Sequence, residues 1–542
     1  MSSHAFSAAA MVLLGQALPA QQYLWQVPPG PPSTVQYLGM NSFPDYDRDG
    51  YLDFLQVVMP NAFVSSQLAV QIVSGRDGSI ILSRPEYSAF PVYAGDVNGD
   101  GWPDVAWREW GGGGLYRVKI WSPHTNTILW QTPTYFNNAF GFAMLGNIDV
   151  NADGRSDFVA ITNSWTSSDA FVYDSSGALL YVVPCYSQGR IAHSLCNMGD
   201  MNADGRDDFL IGCADSTARG VLVLVSGANG SVLRFSYGFL PGDYMTDHAT
   251  NLGDIDGDGV NDYAGFPHLS STSGLTVQFS GATGNVIRYG YAGADSVIAG
   301  QDMDLDGVPD LVIGSGVQVA PNVYGLTRAF SGRDGTELWR VENFRPPPGS
   351  TYFNGSQWAR YAAGLGVQPG QTYPAIAWMD MDWFISGTVI GGTHVGRVRA
   401  YNTALAGQGP IIGAPCSSTS QRPQIGARKT ATGARITIAK GPPGALGLLN
   451  LALAPQTTYG GLPLPIDLSF MGMPGCKAYV GPQAHYWRVL GTTGIDRGYA
   501  AVDLPFPLTT VEKGLQIAAQ WLVFDPATLV YAATAMHQLR GP

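Results

Sequence analysis

Charged side chains are scarce in this sequence of 542 residues. They make up only 13% of it, and 29 Lys and Arg stand against 41 Asp and Glu, a net charge of -12. Because phosphate binding needs a basic surface, this balance excludes a nucleic-acid backbone as the main partner. A hydrophobic content of 45% excludes disorder as the main state of the chain.

The sequence also lacks the long apolar runs and short motifs that mark membrane spans and common active sites. After residue 20, no segment reaches the roughly 18 apolar residues that cross a bilayer, so we expect no membrane span. There is no His-x-x-x-His, Cys-x-x-Cys, Gly-x-Ser-x-Gly or phosphate-loop pattern. His193 and His248 each precede an acidic motif by a similar distance, which favours a repeated structural position over a catalytic pair. We therefore predict no catalytic residue and favour a protein that is not an enzyme.

Residues 1–20 have the order of a secretory signal peptide. An apolar run over 8–14 is followed by Ala17-Leu18-Pro19-Ala20 before the first polar pair. A plain N-terminus is the alternative, because this segment contains neither Lys nor Arg. We predict export, and hence a secreted, cell-surface or periplasmic protein.

Five cysteines are compatible with an oxidising compartment, and their odd number leaves at least one unpaired. Cys416 and Cys476 stand alone in the last part of the chain, where we expect them to form a disulfide. Cys196 and Cys213 flank a turn at nearly equal distances and are predicted to pair across a hairpin, which leaves Cys185 free. The alternative is that all five are buried and reduced.

A nine-residue acidic pattern occurs six times: Asp, any, Asp or Asn, any, Asp, Gly, any, any, Asp. The copies begin 51, 53, 51, 54 and 48 residues apart, so the repeat unit is about fifty residues long. Each copy is followed by an apolar run such as 54–58, and then by a hairpin signal such as 74–78. Two hairpins in each unit predict four short strands, with no helical periodicity between them.

Four-stranded units repeated in this way predict a β-propeller, which leaves only short, protected sheet edges. A seventh unit is degraded: aligning 374–378 with 309–313 places Val367, Pro369, Gln371 and Ala375 at the four carboxylate positions, where no metal is expected. Segment 23–26 is similar to the fourth-strand segments of other units, so we expect it to complete the last blade. The predicted fold is all-β, a seven-bladed propeller of four-stranded blades over residues 21–412.

After residue 412 the period ends and the charge balance inverts. Residues 413–542 carry ten basic and five acidic side chains. Alternating apolar segments there are separated by Gly-Pro turns, which predicts a small, separate C-terminal β-sandwich domain.

The acidic motif, the unit length and the Ser-Gly-x-x-Gly hairpins resemble the FG-GAP (VCBS-type) repeats of integrin α-subunit propellers and of many secreted bacterial proteins. The resemblance covers about residues 23 to 410, and the C-terminal segment resembles, less closely, sandwich modules that follow such repeats. It implies seven-bladed propellers with calcium in the loop that joins the first two strands of a blade. The seventh unit departs from this pattern.

Calcium also follows from the residues, because alternate side chains of a tight loop converge on its centre and hard oxygen ligands suit this ion. By analogy with EF-hand loops, positions one, three, five and nine supply side-chain oxygens and position seven its carbonyl. Magnesium, which retains waters, and a merely solvated acidic turn are the alternatives. About six structural calcium ions are expected. The candidate ligands are Asp45, Asp47, Asp49, Tyr51, Asp53, Asp96, Asn98, Asp100, Trp102, Asp104, Asp149, Asn151, Asp153, Arg155, Asp157, Asp200, Asn202, Asp204, Arg206, Asp208, Asp254, Asp256, Asp258, Val260, Asp262, Asp302, Asp304, Asp306, Val308 and Asp310.

Connections between the blades are rich in aromatic and amide side chains, as in 135–138, 237–244, 289–291 and 352–358. They suit stacking on sugar rings or anchoring a protein loop, and packing between blades is the alternative. We predict a secreted, monomeric calcium-binding repeat protein, an extracellular binding or adhesion module for a glycan or protein. A propeller-based polysaccharide lyase or glycoside hydrolase is the alternative function, favoured if Arg190, His193 and His248 line one pocket.

Overall fold

The computed structural model describes residues 23–26, 36–59, 68–85, 88–136, 140–164, 168–185, 190–215, 220–238, 248–266, 276–290, 296–320, 323–344, 362–367, 373–384, 393–402, 408–412, 414–430, 433–454, 458–459, 462–469, 473–481, 483–504, 516–525, 528 and 530–540. Within these ranges the structure is all-β, apart from short 3₁₀ turns such as that at Gly494–Asp496. No helix in the described part is long and apolar enough to cross a membrane. The predicted signal peptide, 1–20, lies outside the described residues.

The repeat units form antiparallel sheets, mostly of four strands that follow one another in chain order, as predicted. After the N-terminal strand β1 (Tyr23–Gln26), the first sheet contains β2 (Gln36–Phe43), β3 (Asp53–Met59), β4 (Ala69–Val73) and β5 (Ile80–Pro85). The second contains β6 (Ser88–Gly95), β7 (Asp104–Trp110), β8 (Leu115–Ser122), β9 (Thr127–Gln131) and β10 (Tyr135–Phe136). The third contains β11 (Met144–Ile148), β12 (Asp157–Ile161), β13 (Asp169–Tyr173) and β14 (Leu179–Pro184).

The following units repeat the same order. The fourth sheet contains β15 (Arg190–Gly199), β16 (Asp208–Asp215), β17 (Val221–Val225) and β18 (Val232–Tyr237). The fifth contains β19 (His248–Gly253), β20 (Asp262–Phe266), β21 (Thr276–Phe279) and β22 (Val286–Gly290). The sixth contains β23 (Ser296–Gln301), β24 (Asp310–Ala320), β25 (Val323–Phe330) and β26 (Glu337–Phe344).

The degraded unit also forms a sheet, and the N-terminal strand completes it. Its strands are β27 (Ala362–Val367), β28 (Pro374–Phe384) and β29 (Thr393–Asn402). As predicted for segment 23–26, β1 pairs antiparallel with β29 and places Tyr23 opposite Tyr401. This sheet therefore joins the start of the described chain to its last repeat.

Neighbouring sheets pack face to face through shared apolar clusters. Val159 of the third sheet packs with Phe209 of the fourth, and Phe54 of the first sheet packs with Leu365 of the last. Second strands such as β12 and β20 are buried along their whole length because sheets cover both of their faces. The first strands lie against one another in succession: β2 with β6, β6 with β11, β11 with β15, β15 with β19, β19 with β23, β23 with β27, and β27 with β2. The fold is therefore propeller-like.

The C-terminal residues form two main sheets that share a core. The larger sheet contains β30 (Gln408–Ile412), β31 (Cys416–Ser417), β34 (Leu446–Ala454), β39 (Ala484–Val489), β41 (Gln516–Asp525), β42 (Val530–Ala533) and β43 (Met536–Arg540), and the smaller contains β32 (Gln424–Thr430), β33 (Gly433–Ala439) and β40 (Ala500–Leu504). Two short hairpins are formed by β35 (Thr458–Tyr459) with β36 (Leu462–Pro463), and by β37 (Ile466–Asp467) with β38 (Lys477–Ala478). Ile436 of the smaller sheet and Trp521 of the larger are fully buried in one cluster. The larger sheet begins at Gln408, slightly before the predicted boundary at 413.

The cysteines follow the sequence prediction in part. The Cys416–Cys476 disulfide is present, as predicted. The predicted Cys196–Cys213 pair is wrong, because the register of the β15–β16 hairpin places Cys213 opposite Ala192 and Cys196 opposite Leu210. Instead, the thiol of Cys213 lies beside that of Cys185, and this contact, together with burial, raises the pKa of Cys213.

One contact between the two parts of the chain contains a histidine that titrates at low pH. The hydroxyl of Tyr373, next to β28, is hydrogen-bonded to Nε2 of His537 in β43, and both side chains are buried. Burial lowers the pKa of His537 to about 4, because the charged imidazolium is disfavoured away from water.

We expect His537 to lower the stability of the folded protein in acid. Its folded pKa lies below its unfolded value, so its contribution to stability is present above about pH 6.5 and is lost as the pH falls towards 4, by about 3 kcal/mol. Urea unfolding at a series of pH values in saturating calcium should therefore show a smaller acid loss for His537→Gln than for wild type. Parallel pH profiles for the two proteins would contradict this assignment.

Candidate metal centres

Each acidic motif forms the loop between the first and second strands of its sheet. The last Asp of each copy is the first residue of a second strand, as Asp53 is of β3 and Asp104 of β7. Two left-handed residues close the turn: position four, such as Arg48 with φ 60°, and the Gly at position six, such as Gly50 with φ 92°. A residue with positive φ is strained unless it is Gly, so the invariant Gly of the motif has a conformational cause.

The loop backbone turns the acidic side chains of positions one, three and five inward. In the first loop, the two carboxylate oxygens of Asp45 accept the N–H groups of Asp49, at 3.0 Å, and Gly50, at 2.8 Å. Asp47 also accepts the N–H of Asp49, and Asp49 accepts that of Tyr51. The same bonds recur in all six copies. Asn98 accepts the N–H of Asp100 at 2.9 Å, so Asn at position three adopts the geometry of Asp.

The Asp at position nine, at the start of the second strand, accepts hydrogen bonds from the acidic loop and from a later hairpin of the same unit. One oxygen of Asp53 accepts the N–H of Tyr46 in its own loop at 2.8 Å, and the other accepts the N–H of Gly75 in the later hairpin at 3.2 Å. The equivalent Gly residues of the fourth, fifth and sixth sheets donate in the same way. In the second sheet the donor position holds Pro123, which has no N–H, so the buried Oδ1 of Asp104 receives no hydrogen bond from this position of the hairpin. This oxygen remains available to a cation.

Burial disfavours the charged form of these carboxylates. Desolvation raises the pKa of Asp53, Asp157 and Asp262 to about 7 and that of Asp104 to about 6. Neighbouring carboxylates add to the shift, as Asp47 and Asp45 do for Asp53. A cation in the loop would favour the charged forms, because opposite charge lowers the pKa of a carboxyl group.

Three of the loops gather carboxylates closely enough to hold a metal ion. Within each group, one oxygen from every residue lies within 4.8 Å of the others. The donors are all hard oxygens, the type that calcium and magnesium prefer. The groups are Asp45, Asp47 and Asp53; Asp254, Asp256 and Asp262; and Asp302, Asp304 and Asp306.

The other three loops have the same backbone but one carboxylate fewer. Asn98, Asn151 and Asn202 occupy position three in the second, third and fourth copies. The Asp residues of these copies form no such group of three among the described residues. At position seven, residues such as Tyr51 and Trp102 donate their N–H to position five. The carbonyl oxygens at position seven remain predicted ligands of the ion.

In the seventh unit, Val367 and Ala375 flank the corresponding loop, and Pro369 and Gln371 lie outside the described residues.

Consecutive acidic loops are joined directly. The N–H of Ser156 in the third loop donates to the carbonyl of Asp96 in the second, at 3.3 Å, and the N–H of Asp207 donates to the carbonyl of Asp149 at 3.0 Å. Arg48 of the first loop stacks on Trp102 of the second, with Cζ 3.9 Å from the ring centre. The loops therefore lie side by side along one edge of the repeat.

Several residues that the sequence suggested for ligand binding or catalysis pack against neighbouring side chains. Tyr135 stacks on Phe140, with ring centres 4.1 Å apart, and its hydroxyl lies 2.9 Å from that of Tyr173. Arg190 stacks on Phe235, with Cζ 4.4 Å from the ring centre. Tyr237 and Tyr289 remain exposed. Positions 137–138, 239–244, 291 and 352–358 of the predicted aromatic connections lie outside the described residues.

The chain shows distant structural likeness to known proteins. No family model and no curated protein matches the chain. It is similar to the crystal structure of Saccharomyces cerevisiae Sqt1, with 10% identity and a TM-score of 0.42, over 70% of this chain and 98% of that one. It is also similar to that of rhamnogalacturonan lyase YesW, with 14% identity and a TM-score of 0.39, over 77% of this chain and 75% of the other. Likenesses this low carry no argument about function.

The sheets and loops themselves define the class of protein. It is an all-β, propeller-like protein with several partly buried Asp groups that could hold metal ions.

Position three of the first loop tests whether the carboxylate group binds an ion. Asp47 is exposed, and its bond to the loop backbone is 3.3 Å long, so Asp47→Ala should leave the fold intact. We expect it to remove one bound calcium ion and the accompanying stabilisation, about 2.7 kcal/mol at a hundredfold excess over Kd. Equilibrium dialysis and urea unfolding in calcium measure both quantities.

Two matched variants control this test. Asp47→Asn should keep the ion, since Asn occupies this position in three other copies. Asp77→Ala removes an exposed carboxylate from a hairpin outside the loops and should change neither quantity. An unchanged ion count for Asp47→Ala would contradict metal binding by the first loop.

Proposed function

We propose that the chain is a calcium-binding protein of the FG-GAP (VCBS) repeat type, built as a closed, seven-bladed propeller with a C-terminal β-sandwich. Closure is supported by the contact of β27 with β2 and by the pairing of β1 with β29. The common core of the two C-terminal sheets supports the sandwich. The ions stabilise the scaffold and have no catalytic role.

The observation that carries this proposal is the repeated inward orientation of acidic side chains in six loops. The same set of loop hydrogen bonds holds Asp45 and Asp302, although the two are hundreds of residues apart. Each loop offers three or four side-chain oxygens, and calcium accepts six to eight oxygens in flexible geometry, whereas magnesium requires a near-octahedral shell. Six divalent ions would also bring the net charge of -12 to zero.

Export and binding complete the proposal. A disulfide between Cys416 and Cys476 is typical of proteins that fold in oxidising compartments. Exposed Tyr237 and Tyr289, at the ends of fourth strands, supply rigid aromatic faces for a sugar ring or a protein loop. We propose that the protein acts outside the cytoplasm, as a monomeric binding or adhesion module for a glycan or a protein.

The enzymatic alternative has no specific support among the described residues. A lyase needs a base and a cation beside the sugar acid, and Arg190 and His193 instead contact Phe235 and Phe142. We therefore retain binding as the function.

A glycan array, probed with the full chain in millimolar calcium and again with EGTA, tests the proposal. We expect retention on a defined set of glycans, lost when calcium is removed, and a melting temperature that falls in EGTA. Tyr237→Ala and Tyr289→Ala should weaken retention without lowering the melting temperature, whereas Phe142→Ala, exposed elsewhere, should not. Equal melting temperatures with and without calcium would contradict the scaffold role, and turnover of a polysaccharide would favour the enzyme.

A further inference from the structure

The C-terminal domain covers the sixth acidic loop and also contacts the fifth loop at Gly257. Asp304 and Asp306 are each only 2% exposed, whereas Asp153 and Asp204, at position five of the third and fourth loops, are exposed. A Cβ on Gly307 would lie 2.7 Å from that of Ala439, and one on Gly426 would collide with the carbonyl of Asp304. The two surfaces are therefore in close contact.

Arg428 of the C-terminal domain reaches a predicted ligand of this loop. Its Nη1 lies 3.2 Å from Oδ2 of Asp304 and 3.0 Å from the hydroxyl of Thr336. Its Nη2 pairs with Asp334 of the neighbouring hairpin. Arg428 is 8% exposed, so this guanidinium is held between two carboxylates of the propeller-like part.

A second arginine joins the opposite side of the loop to the C-terminal domain. Nε of Arg333 lies 3.1 Å from Oδ2 of Asp306, and its Nη1 lies 2.9 Å from Oδ1 of Asp496. The guanidinium also stacks on Tyr499, with Cζ 3.5 Å from the ring centre. Asp306 is thus connected through Arg333 to the turn Gly494–Asp496.

Both arginines bind the outer oxygens of the loop and leave the inward ones in place. The Oδ1 atoms of Asp304 and Asp306 accept loop N–H groups as in the other copies. Of the four buried or half-buried carboxylates of the loop, Asp304 and Asp306 pair with these guanidinium groups, whereas Asp302 and Asp310 form no ion pair with either arginine in the described structure. A divalent ion would supply the missing counter-charge. Ser331, whose hydroxyl is buried and has no hydrogen-bond partner among the described residues, adds a free oxygen beside the loop. In the fifth sheet the equivalent Ser280 hydroxyl lies 3.4 Å from Asp258 of its loop.

We propose that the C-terminal domain is a calcium-dependent cap on the sixth loop, held in place by Arg428, and that docking and ion binding stabilise each other because docking buries carboxylates that the ion neutralises. The inference rests on the proposed calcium binding and adds a role for this domain. Burying the loop without an ion leaves excess negative charge away from water, which opposes docking. By thermodynamic linkage, if docking raises the affinity of the loop for the ion, the bound ion stabilises docking by the same free energy.

Hydrogen exchange of the full chain, followed by mass spectrometry, measures docking directly. In EGTA we expect segments 424–430 and 494–499 to exchange about tenfold faster than in calcium, within the usual range of coupling between sites. Asp302→Ala, which removes a loop ligand that makes no bond to either arginine, should have the same effect in calcium. Asp149→Ala removes the equivalent ligand of the uncovered third loop and should leave both segments protected.

The outcomes separate this inference from the proposed function. Faster exchange in the acidic loops in EGTA, with both C-terminal segments unchanged, would overturn the cap and leave calcium binding intact. Unchanged exchange throughout the protein would overturn both.

Calcium titration of Arg428→Gln gives a second, independent test. We expect one site to lose at least about fivefold in affinity while the others are unchanged, as reciprocity requires. Arg488→Gln removes the same charge from an exposed site of the same domain, where Arg488 bonds only to nearby carbonyls in the described structure. This variant should bind calcium like wild type. Identical titrations of the two variants would refute a role for Arg428 in the coupling.

Discussion

The fold depends on carboxylate groups of the acidic loops that are buried away from water. The Asp that begins each second strand is almost completely buried and accepts backbone N–H groups that would otherwise lack partners. These bonds fix the acidic loop to the strand and, in most units, to a later hairpin of the same sheet. As a result, several negative charges lie close together and away from water, and the pKa values of residues such as Asp53 and Asp262 are raised. A divalent cation is the natural counter-charge for that cluster.

Because the loop occurs once in each unit, the same constraint is repeated along one edge of the protein. Adjacent loops are hydrogen-bonded to one another, so their positions are linked from unit to unit. At the sixth loop, Arg428 of the C-terminal domain pairs with Asp304, and Arg333 of the neighbouring hairpin pairs both with Asp306 and with Asp496 of that domain. One local chemical pattern therefore takes part both in contacts between neighbouring sheets and in the attachment of the C-terminal domain.

Much of this arrangement could be predicted from the sequence. Spacing and turn residues predicted the strands, the hairpins and the loop that contains Asp45 and its equivalents, because these features depend on neighbours in the chain. The Cys196–Cys213 prediction failed because nearly equal distances from a turn do not fix the register of a hairpin, which here begins with Gly199 opposite Asp208 and places Leu210 opposite Cys196. The contact of Arg428 with Asp304 joins residues 124 positions apart that share no pattern, so only the folded structure brings it to light.

Anomalous diffraction from crystals of the full chain grown in calcium tests the central claim most directly. The account predicts an anomalous peak in each of the six loops, about 2.3 to 2.6 Å from the inward oxygens of positions one, three and five. Loops that contain only water under these conditions would contradict it.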